Sequence, residues 1–151
     1  MTLPGHALVS RKIINGLVSP SLQVQLFGVD LTLERVLTWT SAGTVDLDNS
    51  PPPTNLPPGS YLVEFNETVS VPLDVMGQLF VRSSLFRSGA LLSAGVMDAG
   101  YTGAVGAMLQ VVNPAGLRVY WEARLGQFVF HQMSEPVEGY DGVYQGSTRV
   151  G

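Results

Sequence analysis

The sequence predicts an all-β domain with one short helix near its start. Short apolar or alternating runs recur along the chain, and clusters of Gly and Pro separate them. Hydrophobic residues make up 45% of the 151 residues and charged residues only 13%, a composition that excludes a disordered chain and supplies a sizeable core. Many short strands at this spacing are typical of a sandwich, jelly roll or barrel, and the length favours one domain over residues 1–151.

The elements can be assigned in chain order. Ser10 is placed to cap a helix over residues 11–17, which would end before Pro20. Residues 46–59 are rich in Pro, Asn and Asp, so we expect a loop there. The apolar runs predict strands at residues 22–26, 29–33, 61–65, 67–72, 77–81, 90–97, 104–112, 117–121 and 127–132.

The final residues, 138–151, form a segment that we call the tail. It holds four glycines and no apolar run. We therefore expect the tail to be mobile until a ligand orders it, and then to act as a lid that excludes water. A disordered tail without a function is the alternative.

Composition also excludes several classes of protein. With a net charge of −4 the chain gains little from counterion release, so we expect no nucleic acid as a partner. The absence of cysteine excludes disulfides and thiolate metal sites. The first residues lack the apolar core of a signal peptide and no stretch approaches a membrane span, so we expect a cytoplasmic protein without a membrane partner. The low charged fraction is compatible with burial of apolar surface between subunits.

Residues 82–89, which we call the Arg-Ser segment, follow the predicted strand at residues 77–81. The segment holds two arginines and three serines. Guanidinium forks, hydroxyl groups and turn amides are suited to binding a polyphosphate. A polar hairpin turn without a ligand is the alternative.

A lone carboxylate, Asp98, ends the apolar run at residues 90–97, and a glycine turn that holds Tyr101 follows it. A carboxylate in reach of a water can act as its general base, and the tyrosine ring could close against a sugar or a base. The alternative is an aspartate that caps its own turn.

Two further segments carry polar residues that could contact a ligand. Arg124 and Gln127 lie between strands and could reach a phosphate, although a structural salt bridge serves equally well for Arg124. In the tail, Tyr144 and Gln145 could fold over a ligand.

Taken in order, these segments resemble the superfamily of trimeric dUTPases and dCTP deaminases. The Arg-Ser segment resembles the motif Arg-Ser-Ser-Leu-x-Arg, residues 97–103 the motif Asp-x-Gly-Tyr/Phe-x-Gly, and residues 140–146 the motif Tyr-x-Gly-x-Tyr-Gln-Gly. The chain is most similar to the archaeal-type dUTPases of the deaminase-like branch. Weaker similarities extend the resemblance to nearly the whole chain, at residues 8–14, 27–33, 56–59, 71–72 and 124–127.

The resemblance implies a distorted jelly-roll or β-clip subunit in a homotrimer, with active sites between subunits. It implies dUTP as the substrate, with Mg²⁺ held mainly by the substrate's phosphates and by water rather than by protein ligands. Asp98 would orient the attacking water, and Tyr101 would pack under the deoxyribose. The implied phosphate and nucleoside contacts are Arg82, Ser83, Ser84, Arg87, Gln127, Tyr144 and Gln145.

The two branches of the superfamily differ at a glutamate that shuttles protons during deamination. Alignment on Asn113 puts Gln110 at that position, and alignment on Asp98 puts Met108 there. Neither side chain is a carboxylate, and neither can exchange protons near neutral pH. We therefore expect a dUTP diphosphatase, in which Asp98 activates a water for attack on the α-phosphorus. A dCTP deaminase, alone or bifunctional, and a non-catalytic nucleotide-binding trimer are the alternatives.

Overall fold

Strands dominate the structure, a computed structural model that describes residues 1–39, 47–49 and 55–150, so the all-β prediction is confirmed. The helices are α1 (Gly5–Ser10), α2 (Pro20–Gln23) and α3 (Ser83–Arg87). The strands are β1 (Ile14–Asn15), β2 (Val29–Trp39), β3 (Leu47–Asn49), β4 (Asn55–Leu56), β5 (Gly59–Ser70), β6 (Val75–Val81), β7 (Ala90–Ser93), β8 (Thr102–Val111), β9 (Leu117–Arg118) and β10 (Arg124–Gln132). In these ranges no helix has the length and hydropathy that a membrane crossing requires.

The main sheet closes on itself. Its strands run in the order β6-β10-β2-β5-β8-β7, and each neighbouring pair is antiparallel. After β7, Met97 pairs with Gly77 of β6 through main-chain hydrogen bonds of 2.9 and 3.0 Å, which join the two edges. The result is a barrel-like sheet, as the strand spacing predicts. Strands β1 and β3 extend β5 and β2, and β4 pairs with β9 outside the barrel.

The seam of the barrel depends on a glycine. A Cβ on Gly77 would lie 2.6 Å from the ring of Phe130 and 2.8 Å from the ring of Phe128. These two rings stack with centroids 4.7 Å apart, and both are buried. Only a residue without a side chain lets the aromatic pair pack against β6 where it meets Met97. This packing fixes the position of the residue that follows Met97 in the chain.

The predicted helix at residues 11–17 is wrong. The helix lies earlier, and Ser10 is its last residue rather than its N-cap. Lys12 then adopts a left-handed conformation with φ of 58°, which stops the helix. The β-branched pair Ile13 and Ile14 is buried, and β1 begins at Ile14 beside Val69 of β5, because such side chains fit a sheet better than a helix.

The predicted strand at residues 22–26 is also wrong. Pro20 opens α2, where its fixed φ and missing N–H are tolerated. Gln23, the last residue of this helix, is fully buried and donates a hydrogen bond to the main-chain oxygen of Asp30 at 2.9 Å. Burial of this amide selects the helix over the alternating strand pattern. The Arg-Ser segment likewise forms a short helix, α3, rather than a hairpin turn.

The remaining strand predictions hold with shifted bounds. Residues 61–65 and 67–72 belong to one strand, β5, which is bulged between Glu64 and Thr68. The runs at residues 90–97 and 117–121 give shorter strands, β7 and β9. Within the expected loop at residues 46–59, the short strands β3 and β4 occur. The rest of that prediction, at residues 46 and 50–54, falls outside the described residues.

Candidate functional site

A cavity of about 640 Å³ opens between β8, the turn that follows β7, and the tail. Its walls are mainly apolar side chains and exposed main chain. They carry one carboxylate, from Asp98, and one guanidinium, from Arg149. A concave apolar site with few polar groups is suited to a flat organic ring with polar edges. The walls are formed by Trp39, Leu62, Ser93, Ala94, Gly95, Val96, Met97, Asp98, Tyr101, Ala104, Gly106, Ala107, Met108, Tyr140, Tyr144, Ser147, Arg149 and Val150.

Asp98 lies on the wall because the barrel closes beside it. Met97 is held by Gly77, so Asp98 is the first residue beyond the seam. Its main-chain oxygen accepts a hydrogen bond from Tyr101 N at 3.1 Å, and Gly100 adopts the positive φ of 83° that this turn requires. The carboxylate is exposed and, within residues 1–39 and 55–150, forms no hydrogen bond or ion pair. It is therefore free to accept a proton from a water.

The Tyr101 ring is a rigid part of the wall. Its hydroxyl donates to the main-chain oxygen of Ala104 at 2.8 Å and lies 2.9 Å from Ser147 Oγ of the tail. The ring also meets Tyr140 edge-on, with centroids 5.4 Å apart. A Cβ on Gly103 would lie 2.6 Å from the Tyr101 hydroxyl, so this glycine makes room for the tyrosine. A fixed, buried ring is suited to packing against a sugar.

Gln145 attaches the tail to the turn at residues 99–102. Its Oε1 accepts a hydrogen bond from Thr102 N at 2.8 Å, and its Nε2 donates to the oxygens of Gly100 at 2.9 Å and Tyr140 at 3.1 Å. The amide is thus engaged with main chain, while Tyr144 beside it lines the cavity. The structure shows the tail in a docked position. Its opening in the absence of a ligand stays a prediction.

The Arg-Ser segment lies at the other end of β6. Ser83, Ser84 and Arg87 have exposed side chains on α3. Arg82 precedes this helix, and its Nε lies 3.3 Å from Oδ2 of Asp30. Hydroxyl and guanidinium groups that face solvent are available to phosphate oxygens.

Asp30 is a buried carboxylate that the sequence analysis did not identify as part of a site. Its Oδ2 also lies 3.3 Å from Arg124 Nη1 and accepts a hydrogen bond from Gln25 Nε2 at 3.1 Å. Burial raises the pKa of Asp30, while the guanidinium groups of Arg82 and Arg124 lower it. An aspartate inside an apolar strand run is the signal that could have identified it, since carboxylates are rarely buried without partners.

Gln127 lies near this carboxylate on the neighbouring strand. It pairs with Asp30 of β2 on one side and with Phe80 of β6 on the other, and its side chain is half-buried. The structure therefore associates Gln127 with the Arg82 end of the barrel rather than with the cavity.

Within one chain the candidate residues form two groups that lie apart from each other. Gly77 lies beside the Asp98 segment, and Arg82 lies five residues farther along β6. At a strand rise of 3.4 Å per residue this separation is roughly 17 Å. Asp98, Tyr101 and the tail thus form one group, and the Arg-Ser segment with Gln127 forms another.

Met108 and Gln110, the two residues aligned with the deaminase glutamate, differ in their position relative to the cavity. Met108 lines the cavity, whereas Gln110 is absent from its walls and pairs with Ser60 of β5 and Leu91 of β7. Of the two aligned candidates, Met108 is therefore the one that faces the cavity. A thioether has no proton to exchange.

The described residues contain no group of three or more His, Cys, Asp or Glu side chains that could hold a metal ion. Asp98 is the one carboxylate on the cavity wall.

Comparison with known proteins gives consistent matches. The model of the family described as dCTP deaminase-like matches residues 6–133. A probable deoxyuridine 5′-triphosphate nucleotidohydrolase of Methanosarcina mazei is 39% identical, over 88% of this chain and 86% of its own. The protein of the same name from Aeropyrum pernix is 36% identical, over 97% of this chain and 98% of its own.

Solved structures match the fold at lower identity. The crystal structure of 2′-deoxycytidine 5′-triphosphate deaminase from Agrobacterium tumefaciens superposes with a TM-score of 0.70 at 20% identity. The match covers 85% of this chain and 47% of the deaminase chain, so this chain spans about half its length. A dUTPase of phage 80alpha superposes with a TM-score of 0.53 at 16% identity, over 74% of this chain and 80% of that one.

Proposed function

Because the chain belongs to the dCTP deaminase-like family, we propose that it is a dUTP diphosphatase, which hydrolyses dUTP to dUMP and pyrophosphate. The relatives from Methanosarcina mazei and Aeropyrum pernix, which share 39% and 36% of their residues with it, carry the name of this hydrolase. The observation that carries the proposal is the free carboxylate of Asp98 on the wall of an apolar cavity whose facing strand has Met108 in place of a second carboxylate.

The cavity takes the nucleoside. The uracil lies against the turn at residues 93–97, where the main chain of residues 94–96 is outside the strand pairing and can hydrogen-bond the base edge. The deoxyribose packs on the buried Tyr101 ring, and Tyr144 covers the site from the tail. The docked tail keeps water other than the attacking molecule away from the reacting groups.

Hydrolysis proceeds at the α-phosphorus. Asp98 accepts a proton from a water, the water oxygen forms a bond to phosphorus, and the bond from phosphorus to the bridging oxygen breaks. The products are dUMP and pyrophosphate. Mg²⁺, when bound to the phosphate chain, would supply charge neutralisation, and Arg82, Ser83, Ser84 and Arg87 would contribute guanidinium and hydroxyl donors to the same oxygens.

These donors come from the Arg-Ser segment, and the site is complete only with a second copy of the chain. Arg82 follows β6, and Ser83, Ser84 and Arg87 lie on α3, beyond the end of β6 that is far from the Gly77–Met97 pair. At that separation they cannot meet a phosphate held at Asp98 of their own chain. Gln127 adds an amide from the Arg82 side, and Gln145, whose own amide binds main chain, contributes by holding Tyr144 over the nucleoside. We therefore place the active site between subunits of a homotrimer.

Exposed apolar side chains beside the Arg-Ser segment support this assembly. Phe80 and Phe86 flank Arg82 in sequence and are each about half exposed. Leu26 and Phe27 are more exposed still, and they follow Gln25, whose amide binds the same Asp30 oxygen that pairs with Arg82. Large apolar side chains grouped around polar candidate residues are characteristic of a subunit interface.

The test is product analysis of the purified protein with Mg²⁺ and either dUTP or dCTP. Chromatography is expected to show dUMP and pyrophosphate from dUTP, while dCTP stays intact. Uridine nucleotides formed from dCTP would replace the proposal with a deaminase. Tight binding of dUTP with no product from either nucleotide would replace it with a non-catalytic binding protein.

A further inference from the structure

A buried ion pair binds the main chain of the tail at Val150. Glu64 of β5 is 1% exposed, and its Oε2 accepts hydrogen bonds from Arg35 Nε at 2.6 Å and from Val150 N at 3.1 Å. Arg35 Nη2 in turn donates to the main-chain oxygen of Val150 at 3.0 Å. One ion pair thus engages both the donor and the acceptor of a single tail residue.

The Val150 side chain occupies a space that a glycine leaves open. Gly106 lies opposite Glu64 in the pairing of β8 with β5, and it lines the cavity. A Cβ on Gly106 would lie 2.8 Å from both Cγ atoms of Val150. Val150 therefore packs directly on the main chain of β8, at the edge of the cavity.

Charge also attracts the tail to this place. Glu34 lies close enough to Glu64 that burial and this second carboxylate raise the pKa of Glu34. Among the described residues outside the tail, Arg35 is the guanidinium that pairs with Glu64 and lowers the pKa of Glu34. Arg149 of the tail lies 3.8 Å from Glu34 Oε1 and 3.8 Å from Glu64 Oε1, so docking supplies a second guanidinium to the pair of carboxylates.

The contacts of Val150 are the last of several attachments along the tail. Gln145 binds the turn at residues 99–102, and the main-chain oxygen of Ser147 accepts a hydrogen bond from Ala104 N at 3.0 Å. Val150 then fixes the far end against β5 and β8. An attachment beyond Tyr144 and Ser147 holds the segment that covers the cavity on both sides of these residues.

We propose that Arg35 and Glu64 are positioning residues that latch the tail closed over the cavity. Neither residue is part of the cavity wall, and both act on the reaction through the tail residues that line the cavity. The proposal rests on the proposed function for its effect on turnover, whereas the latch itself can be measured without a nucleotide.

Hydrogen–deuterium exchange of the full-length protein without nucleotide tests the latch. Val150→Pro removes the N–H that Glu64 binds, and Val150→Ala is the matched control because it keeps the main-chain donor and acceptor. The probe is the Gly146 amide, which donates to the Thr102 oxygen. We expect it to exchange about tenfold faster in V150P, because that variant loses one hydrogen bond to a charged group. In V150A we expect a much smaller increase in its exchange rate. Equal exchange in V150P and the unmodified protein would overturn the proposal.

Glu64→Gln tests the carboxylate that accepts the hydrogen bond from Val150 N. We expect faster exchange in the tail with unchanged exchange in β8. Faster exchange in both the tail and β8 would mean that E64Q loosens the sheet. The V150P result would then decide whether the latch exists, because Val150 lies outside the barrel.

Steady-state kinetics with dUTP separates a latch from a purely structural role. We expect V150P and E64Q each to raise KM several-fold, and the double variant to behave like either single variant because both remove the same latch. If the increases in KM multiply in the double variant, Val150 and Glu64 act independently and do not form one latch. If the unmodified protein fails to hydrolyse dUTP, the proposed function fails, and the exchange result still decides the latch.

Discussion

Asp30 Oδ2 lies 3.3 Å from Arg82 Nε, and the same oxygen lies 3.3 Å from Arg124 Nη1. The carboxylate is 1% exposed, whereas both guanidinium groups remain about one-third exposed. A buried anion thus orients two arginines whose remaining N–H groups can face a ligand. Asp30 connects the core of the barrel to the proposed phosphate site.

Replacing Asp30 by Asn is expected to lower the stability of the protein and to weaken the orientation of Arg82. The free energy of unfolding should fall by about 1–3 kcal/mol, since a hydrogen-bonded charge is lost from a buried position. KM for dUTP should rise, because Arg82 loses the partner that orients it. Urea denaturation and steady-state kinetics measure the two effects. Asp74→Asn is the matched control, since Asp74 bonds Gln132 away from the arginines. A loss of stability with KM unchanged would reduce Asp30 to a structural residue.

Glu67 gives a prediction for the pH dependence of stability. It is fully buried, with hydrogen bonds from Thr32 N at 2.6 Å and from Gln23 Nε2 at 3.0 Å. Burial raises its pKa above the ordinary value of 4.5, against the opposing effect of these hydrogen bonds. The folded state therefore keeps the proton at a pH where the unfolded chain has lost it. The resulting stability is present below pH 4.5 and is lost as the pH rises through the folded pKa.

Glu67→Gln removes this titration. Urea denaturation from pH 4 upward should show that the free energy of unfolding of the unmodified protein, relative to that of E67Q, falls with rising pH. A relative stability that rises with pH would mean that the pKa of Glu67 is lowered in the folded state.

Mixed oligomers test whether the active site is shared between chains. Arg82→Gln and Asp98→Asn should each abolish most dUTP hydrolysis alone. If one chain supplies Asp98 and another supplies Arg82, co-refolded equal amounts should regain about a quarter of the sites. The same two variants assayed after simple mixing, without exchange of subunits, are the control. No recovery after verified exchange would place both groups in one chain.

The strand spacing was sufficient to predict the class of fold, because alternation and Gly-Pro punctuation report directly on a half-buried sheet. It failed where tertiary contacts decided the local structure. Buried Gln23 favours a helix over the strand expected at residues 22–26. Burial of Ile13 and Ile14 beside β5 favours a strand over the helix expected at residues 11–17. Neither contact is visible in the local pattern.

The candidate site was predictable only in part for the same reason. The motif segments identified Asp98, Tyr101 and Arg82, whose residue types are distinctive at their spacing. Asp30 and Glu64 were missed because their roles depend on partners that are distant in sequence. The distinction between Met108 and Gln110, which lie on the same face of β8, likewise required the position of the cavity along that strand.

If Asp98 activates the water that attacks dUTP, Asp98→Asn removes the general base of the reaction. An amide keeps the size of the side chain but accepts no proton at neutral pH, so kcat for dUTP should fall by about 10²–10⁴. Asp141→Asn, a change at another exposed aspartate, is the matched control and should leave kcat unaltered. Binding of dUTP to D98N, followed by calorimetry, should stay near that of the unmodified protein. A kcat for D98N within a few-fold of the unmodified value would show that Asp98 is not the general base.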